Sequence, residues 1–572
     1  MASTVALFTG LSGLTASARN LDVIGNNIAN VNTFAFKSNR LVFASQFSRT
    51  FSTGSTPSDG LGGSNPVQIG LGVAIGGTQR NFNTGTISPT GDARDLAIEG
   101  GGLFIVEQGG TQRYTRAGTF RADPQNNLTT PTGERVLGFP VDDRFSVLPG
   151  TLVPISIPLG QLTLAEATRN VSLTGNLNAG GSVPTSAAST TVNPLLTGAA
   201  GNPPATSGTL LSDLVDPAAP ANPLLTVGNS IAVTGAVKGG RELPDASVEI
   251  TATTTVQDLI DFFNAALGIQ TGLGPNPDGT TPGVSIDPSG ALTIVSNTGA
   301  DNRIEISDAN IVQFNPGGLA QGTPFDLTPG DAGDGESVRT TLVAFDSLGN
   351  PVSVDVTFVL EARTGGNGTL WRYYAESADN AGTDLRIGTG LLEFSSTGAI
   401  ITQSPVVLSV DRTGTGAASP LDFTLAFAQS PGGVSALTDD RSEVAATFQD
   451  GVPFGVLTDY GVGADGVITG AFSNGTTRTI GQVALAVFAN NEGLIDIGSN
   501  LFAIGPNSGT LVITNPSSLG AGRIVGGSVE LSNVDLAQEF VNLILAQTGY
   551  SASSRIVQTT NTLLEQLLVL GR

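Results

Sequence analysis

The chain has 572 residues, of which 48 are acidic and 25 are basic, for a formal net charge of −23. It contains no cysteine and no histidine, which excludes disulfides, thiolate metal sites and the general base that enzymes use most often. The acidic balance argues against nucleic-acid binding, which needs a basic surface, and 39% apolar residues are too many for a disordered chain.

Apolar residues recur at helical spacing in the first 31 residues. They are Leu7, Leu11, Leu14, Ala18, Leu21, Ile24, Ile28 and Val31, three or four positions apart, which is close to a coiled-coil heptad. Five asparagines, Asn20, Asn26, Asn27, Asn30 and Asn32, lie on the same segment, although asparagine is a poor helix former. Two interpretations stay open: buried amides that fix the register between helices, or a helix that frays.

This N-terminal segment is not expected to be a secretory signal peptide. No lysine or arginine precedes Arg19, and Gly10, Ser12 and Gly13 interrupt the apolar stretch. No run of apolar residues in the chain is long enough for a transmembrane helix. We therefore expect neither a cleaved leader nor insertion into a membrane.

The middle of the chain predicts β-structure, with 76 glycines and 31 prolines as turn formers. Asp465-Gly466 and Asn474-Gly475 bracket VITGAF, and DSLGNP separates TTLVAF from VSVDVTFVL, so hairpins are expected at both places. One internal helix is predicted, VQDLIDFFNAAL, with a Thr255–Asp258 capping box and a stop at Gly268. Residues 183–228 and 270–284 read as connections or loop-rich edges.

A second long helix is predicted near the C-terminus, with Asp535 at its start. Its apolar positions are Leu536, Phe540, Leu543 or Ile544, Ile556 or Val557, Leu563, Leu564, Leu567 and Leu568. The apolar stripe on each terminal helix is too narrow for that helix to form a core alone. The two must pack on each other, on another chain, or on both, with the β-rich middle inserted between them.

Two terminal segments, LSGLTASARNLDVIGNNIANVNT (11–33) and SNVDLAQEFVNLILAQTGYSASSRIVQTTNTLLEQLL (532–568), resemble the bacterial flagellar rod/hook axial protein family. DLAIEGGGLFIV (95–106) and RYTRAGTF (113–120) are similar to segments shared by rod and hook proteins. TLVAFDSLGNPVSVDVTF (341–358) and DGVITGAFSNGTTRTIGQVALAVFANNEGLIDIGSNLFA (465–503) resemble the hook proteins of that family. One departure is Ala35, where the family usually has glycine, so a left-handed turn there is in doubt.

The resemblance implies a mainly β fold with an α-helical terminal domain, whose N- and C-terminal helices pair as a coiled-coil-like layer around which nested β domains are inserted. The expected division is residues 1–40 with 530–572 as the helical inner-tube domain and 41–90 as an extended connector. A first β domain would comprise 91–150 with 431–529, and a second would comprise 151–186 with 331–430. Residues 187–330 would form an inserted outer domain.

The resemblance also implies a structural subunit that polymerises with copies of itself into a helical tube, the flexible universal joint between the flagellar motor and the filament. Rod, hook-cap and hook–filament junction proteins would be its partners, and it would be exported to the extracellular hook by the flagellar type III pathway. The expected subunit-interface residues are Leu7, Leu11, Leu14, Leu21, Ile24, Asn27, Ile28, Val31, Leu536, Phe540, Leu543, Ile544, Val557, Leu564 and Leu567.

No enzyme, cofactor or metal site is expected. Asp331, Asp334 and Glu336 resemble a calcium loop but lack the EF-hand spacing, so a solvated turn is the preferred interpretation. Within the flagellar class, a hook–filament junction or distal rod protein is the alternative. From a different class, a secreted β-rich adhesin or carbohydrate-active enzyme is the alternative, although no pair of carboxylates stands out.

Overall fold

The computed structural model describes residues 2–217, 219–365, 368–403, 406–428, 433–438 and 441–570. Three α-helices lie in this part of the chain: α1 (Ala2–Ala29), α2 (Val256–Ala266) and α3 (Leu536–Leu570). Single 3-10 turns occur at Leu211–Asp213, Ala300–Asn302, Asp308–Asn310 and Asn491–Gly493. The remaining regular structure is β-strand, and α1 contacts α3. The predicted fold class is therefore confirmed.

The chain folds as two compact units, one inserted into the sequence of the other. The first comprises residues 1–163 and 456–572, and the second comprises residues 164–455. Two strands, Thr163–Glu166 and Val452–Val462, lie where the chain passes from one unit to the other. The finer five-part division stays a prediction, and its boundary at residues 430 and 431 lies outside the described residues.

In the first unit, residues 39–80 form a long antiparallel hairpin that we call the arm. Its strands are Asn39–Ser45, Ser48–Ser52, Val67–Gly70 and Val73–Arg80. Asn39 pairs with Arg80 at the base, Ser48 pairs with Gly70 farther along, and isolated bridges continue the ladder to Ser58 and Leu61. The segment expected as an extended connector is thus a two-stranded ribbon over most of its length.

An antiparallel sheet forms the body of the first unit. Its strands are Leu103–Gln108, Thr111–Thr115, Arg121–Ala122, Leu128–Thr129, Arg135–Phe139, Val153–Pro154, Val467–Phe472, Thr477–Val483, Leu485–Phe488, Ile495–Gly498, Leu501–Ala503 and Leu511–Thr514. The predicted turn glycines Gly466 and Gly475 have φ of 76° and 81°, the left-handed values that such turns require. Ile105, Tyr114 and Phe488 lie in the core under this sheet.

Two further ladders tie the returning chain to this body. Ile87–Pro89 pairs with Ser528–Glu530, and Leu96–Glu99 pairs with Arg523–Gly526. The later strand of each ladder, Arg523–Gly526 or Ser528–Glu530, lies shortly before α3 in sequence. These two strands therefore determine where α3 leaves the β body. Asp535 begins α3 as predicted, because its Oδ1 accepts from the Ala537 and Gln538 amides at 2.9 and 3.1 Å.

In the second unit, two sheets share one core. One sheet contains Ser337–Phe345, Pro351–Arg363, Thr369–Glu376, Arg386–Phe394 and Ile400–Gln403, and includes the predicted hairpin. The other contains Asn170–Asn176, Val407–Val410, Leu421–Ala426, Val434–Ser435 and Glu443–Gln449. Trp371 and Phe423, one from each sheet, are buried in this core.

The remainder of the second unit surrounds α2. Its strands are Ala188–Val192, Leu196–Thr197, Leu214–Asp216, Ala219–Pro223, Ser230–Val233, Val237–Lys238, Arg241–Glu242, Ala246–Glu249, Gly283–Ile286, Leu292–Val295, Ile304–Glu305, Ile311–Phe314, Ala320–Gly322 and Leu327–Ala332. The Thr255–Asp258 capping box is present, and Gly268 follows the helix at φ 62°. Both predictions for this helix are confirmed.

Residues 183–228 were expected to be connections or loop-rich edges, but they contain regular structure and buried side chains. They supply four of those strands, and Leu195, Leu211 and Leu225 are buried in the core around α2. Proline and glycine set the composition of this segment, but four of its leucines, the three above and Leu214, are buried in the core. Burial of those side chains stabilises the short strands, which composition alone does not predict.

Candidate subunit interface

Helices α1 and α3 pack antiparallel in a single register. The contacting pairs are Gly10 with Ile556 and Val557, Gly13 with Ser553, Ser17 with Gly549, and Asn27 with Glu539. A Cβ atom on Gly13 would lie 2.8 Å from Ser553 Oγ and 3.6 Å from Ser553 Cβ, so there is no room for a bulky side chain between the helices at this point. The seam between the two helices consists largely of small and polar residues, which lets their backbones approach closely.

The sequence-predicted interface residues fall into three settings. Ile24 and Asn27 are buried within the chain. Leu7, Leu14, Leu21, Ile28, Val31, Leu543, Val557 and Leu564 are half-buried. Leu11, Leu536, Phe540, Ile544 and Leu567 are exposed. The structure therefore brings one part of the predicted stripe into the chain's own helix pair and leaves another part uncovered.

The uncovered part forms an apolar outer face on α3, made of Phe540, Val541, Ile544 and Leu545. Their exposed fractions are 50, 51, 62 and 65%. At spacings of one, four and five residues they lie on one side of the helix, while Ala546 on the seam is buried. A monomeric protein rarely exposes a contiguous apolar surface of this kind unless another molecule covers it.

Asn27 is the centre of a polar junction between α1, α3 and the arm. Its Oδ1 accepts from the Asn39 amide at 2.9 Å, and its Nδ2 donates to the Asn39 carbonyl at 2.7 Å and to Glu539 Oε1 at 3.1 Å. Asn26 and Asn30, by contrast, bond to each other on the exposed side of the helix. Of the two interpretations left open by the sequence, a buried amide that fixes register describes Asn27.

A buried ion cluster lies next to this junction, where α1 and α3 meet the β body. Glu530 Oε1 is 2.6 Å from Lys37 Nζ, Glu530 Oε2 is 3.0 Å from Arg116 Nε, and the three side chains are 0, 1 and 3% exposed. Burial lowers the pKa of Lys37, and the charge of Glu530 opposes that shift. Arg116 also donates to the backbone carbonyls of Ile98 and Gly102 at 3.0 and 2.7 Å.

Ala35, the departure from the family pattern, keeps a left-handed backbone. Its φ is 55°, it is buried, and its amide donates to the Glu530 carbonyl at 2.8 Å. The tight turn that glycine would favour is therefore present with alanine. It brings Lys37 back to the ion cluster directly after α1.

The arm runs antiparallel to α1. Asn39 at its base bonds to Asn27, the Val73 amide donates to Ser12 Oγ at 3.2 Å, and Arg49 lines the same groove as Val5. The helix from Val5 to Asn27 and the strand from Asn39 to Arg49 each span about 33 Å at standard rises. The arm is thus matched in length to the helix that it accompanies.

The base of the arm is anchored on the β body. Arg80 forms an ion pair with Asp496 at 2.7 Å and lies over the Phe502 ring at 5.1 Å, and Phe82 packs against the same ring at 5.5 Å. Gln79 Nε2 donates to Glu492 Oε1 at 2.8 Å. The arm, both terminal helices and the body therefore meet through named side-chain contacts within the first unit.

The arm also exposes apolar residues that the sequence analysis did not include in the interface. Phe43, Phe47, Phe51 and Ile69 are all exposed, although each is large and apolar. The signal was available, since the three phenylalanines recur every fourth residue between Arg40 and Ser52. An extended strand places residues that are an even number of positions apart on the same face. This pattern therefore indicates an apolar face along the strand.

The acidic side chains of the described residues do not form a metal site. Among them, no group of three or more acidic side chains is arranged to hold a metal ion. Asp334 lies in a turn, where hydrogen bonds from Thr185 and from the Ser186 amide lower the pKa of its carboxyl. None of the helices in this part of the chain is both long enough and apolar enough to cross a membrane.

Comparison with known proteins gives four family matches in chain order. Flagella basal body rod protein matches residues 7–37, and the Flagellar hook protein FlgE/F/G D1 domain matches 97–193. The Flagellar basal body protein FlaE D2 domain matches 308–452, and the Flagellar basal body rod FlgEFG protein C-terminal matches 525–570. The first and last matches fall on the two terminal helices described above.

Relatives align with nearly the entire chain. The flagellar hook protein FlgE of Treponema pallidum is 28% identical, and that of Escherichia coli is 26% identical, each over 99% of both chains. A crystal structure of Helicobacter pylori flagellar hook protein FlgE2 covers 76% of this chain and 98% of its own at 18% identity. The TM-score of this superposition is 0.38. The ordered family matches and the full-length relatives agree with the paired terminal helices and the inserted β units: the chain belongs to the flagellar hook protein family.

Proposed function

We propose that the chain is the structural subunit of a bacterial flagellar hook, and that copies of it polymerise head to tail into a helical tube. The tube is the flexible universal joint that transmits motor torque to the filament. The chain is a structural protein and not an enzyme. Its terminal helices form the inner layer of the tube, and residues 187–330 face outward as an inserted domain.

The outer face of α3 carries this proposal. Four large apolar side chains, Phe540, Val541, Ile544 and Leu545, are exposed on a helix whose own partner α1 is already in place on a seam of small residues. Covering them with a neighbouring subunit would remove apolar surface from water, and burial of one such side chain stabilises by about 1.5–3 kcal/mol. A surface of this kind favours a polymer over a monomer.

The predicted interface residues have two different roles in this proposal. The exposed members, such as Leu11, Phe540 and Ile544, are free to contact a neighbour, whereas Ile24 and Asn27 act by holding the helix pair and the arm together. Rod, hook-cap and hook–filament junction proteins are the proposed partners at the ends of the tube. Export through the flagellar type III pathway, without a cleaved signal peptide, is the proposed route to the extracellular hook.

Self-assembly of the purified chain tests the proposal. Electron microscopy of the concentrated protein should show tubes, and the double variant Phe540→Gln and Ile544→Gln should remain unassembled with its circular dichroism spectrum unchanged. Glutamine is a good helix former, so the helix itself should persist.

Val227→Gln with Leu319→Gln is the matched control, because both residues are exposed apolar positions in the second unit. The control should assemble like the unchanged chain. If the chain forms no tubes at any concentration, or if the Phe540 and Ile544 variant assembles normally, the proposal is contradicted.

A further inference from the structure

An open apolar groove lies between the end of the arm and the beginning of α1. It has a volume of about 510 Å³ and is lined by Val5, Thr9, Arg49, Phe51, Ile69 and Ile556, among others. Among its described lining residues Arg49 alone is charged, and its guanidinium lies over the Phe51 ring at 4.9 Å. A Cβ atom on Gly70, at the edge of the groove, would meet no other atom within 4 Å. The volume lies within the range of about 300–1,000 Å³ that is typical of occupied binding pockets.

The last turns of α3 form an apolar tip that the described residues leave exposed. Because α3 is longer than α1 and Gly10 faces Ile556, the helix continues past the beginning of α1. Leu567, Leu568 and Val569 on this extension are 59, 72 and 76% exposed. We call these three residues the tip.

The tip cannot occupy the groove of its own chain. Ile556 lines the groove, and Leu567 lies about 16 Å farther along the same continuous helix at the standard rise. Any tip that fills the groove must therefore come from another molecule.

We infer that the tip of one subunit inserts into the groove of a second copy of this chain. This inference rests on the proposed function and specifies one of its contacts. The C-terminal end of a helix carries a partial negative charge, so Arg49 in the groove is complementary to the incoming end of α3. The apolar tip side chains meet the apolar lining.

The geometry of this contact leads to a polymer. The tip and the groove are different surfaces of one chain, so each subunit that inserts its tip still offers an empty groove. A contact between two unlike surfaces that does not close on itself produces an open filament. The inserted tip would thus define the direction in which the tube grows.

Crosslinking tests the inference directly, because the natural chain has no cysteine. The double variant Ile69→Cys and Leu568→Cys is assembled into tubes and treated with a short bismaleimide. We expect most of the protein to move into a ladder of covalent dimers, trimers and larger species, and unassembled protein to remain as single chains. Gly77→Cys with Leu568→Cys is the matched control on the same arm, because Gly77 does not line the groove.

Two results would overturn the inference: tubes that give no more ladder than the control, or crosslinks formed only within single chains. Failure of the unchanged chain to form tubes would instead contradict the proposed function, so the two failures are distinguishable.

A filling substitution gives a second measurement that needs no crosslinker. Gly70 and Gly77 are both exposed arm glycines whose Cβ would meet no atom within 4 Å, and neither has a positive φ. Gly70→Phe should fill the groove and raise the critical concentration for assembly about tenfold, which corresponds to about 1.4 kcal/mol, whereas Gly77→Phe should leave it unchanged. Equal critical concentrations for the two variants would overturn the inference.

Discussion

Removal of the Glu530 side chain should destabilise the first unit strongly. Glu530 is fully buried between Lys37 and Arg116 at 2.6 and 3.0 Å. At an effective dielectric constant of about 20, the attraction at 2.6 Å is about 6 kcal/mol before the cost of desolvation. Removing one partner leaves the other charges buried without compensation, which costs about 3–5 kcal/mol. Glu530→Ala should therefore lower the free energy of unfolding of the first unit by that amount.

Glu99→Ala is the matched control for this prediction. Glu99 forms an ion pair with Arg523 at the same 2.6 Å, but the two side chains are 48 and 60% exposed. An exposed pair contributes only about 0–1 kcal/mol, so the control should lose little. Because the N–O distance is 2.6 Å in both pairs, the difference between the two losses of unfolding free energy reports the effect of burial rather than of distance.

Hydrogen exchange of the Leu103–Gln108 and Thr111–Thr115 strands is the assay, since the single tryptophan, Trp371, lies in the second unit. A loss of about 3 kcal/mol or more should accelerate exchange of these amides more than about a hundredfold. Adding Lys37→Met to the Glu530→Ala variant should recover part of the loss, because it removes a buried ammonium left without its partner. Equal acceleration in the Glu530→Ala and Glu99→Ala variants would refute the reasoning.

Three other predictions concern individual side chains. Burial raises the pKa of Tyr373 from 10.0 to about 12, so stability that is complete below pH 10 is lost as the pH rises toward 12, by about 3 kcal/mol. Tyr373→Phe should reduce that alkaline loss in tryptophan-monitored unfolding, and an unchanged loss would contradict this assignment. Gly13→Leu should prevent tube formation by separating α1 from α3, whereas Gly25→Leu, on the same helix with no atom within 4 Å of its Cβ, should assemble normally under the electron microscope. Asn27→Ala should lower stability by about 1–3 kcal/mol in denaturant titrations, because the Asn39 backbone loses its partners; no change would show that the junction is not structural.

Much of the fold could be predicted from the sequence because the signals are local. The spacing of apolar residues predicted α1 and α3, Asp-Gly and Asn-Gly pairs predicted the hairpin turns, and Thr255 with Asp258 predicted the beginning of α2. Each of these rests on residues within a few positions of one another, where propensity and turn chemistry decide the conformation.

The site was predicted less completely because its contacts are distant in sequence. Periodicity indicates that α3 has apolar faces but not which face its partner covers, and the seam proved to follow glycine, serine and alanine rather than leucine. Lys37 and Glu530 are 493 positions apart, so no local pattern pairs them. The resemblance implied an extended connector at residues 41–90, and the pairing that makes the arm a two-stranded ribbon joins residues as far apart as Asn39 and Arg80.

Helical reconstruction of tubes assembled from the purified chain tests the central claim most directly. The account predicts that α1 and α3 form the inner wall and that Phe540 and Ile544 on the outer face of α3 are buried against neighbouring subunits. A tube in which these side chains remain in contact with solvent, while other surfaces hold the subunits together, would contradict it.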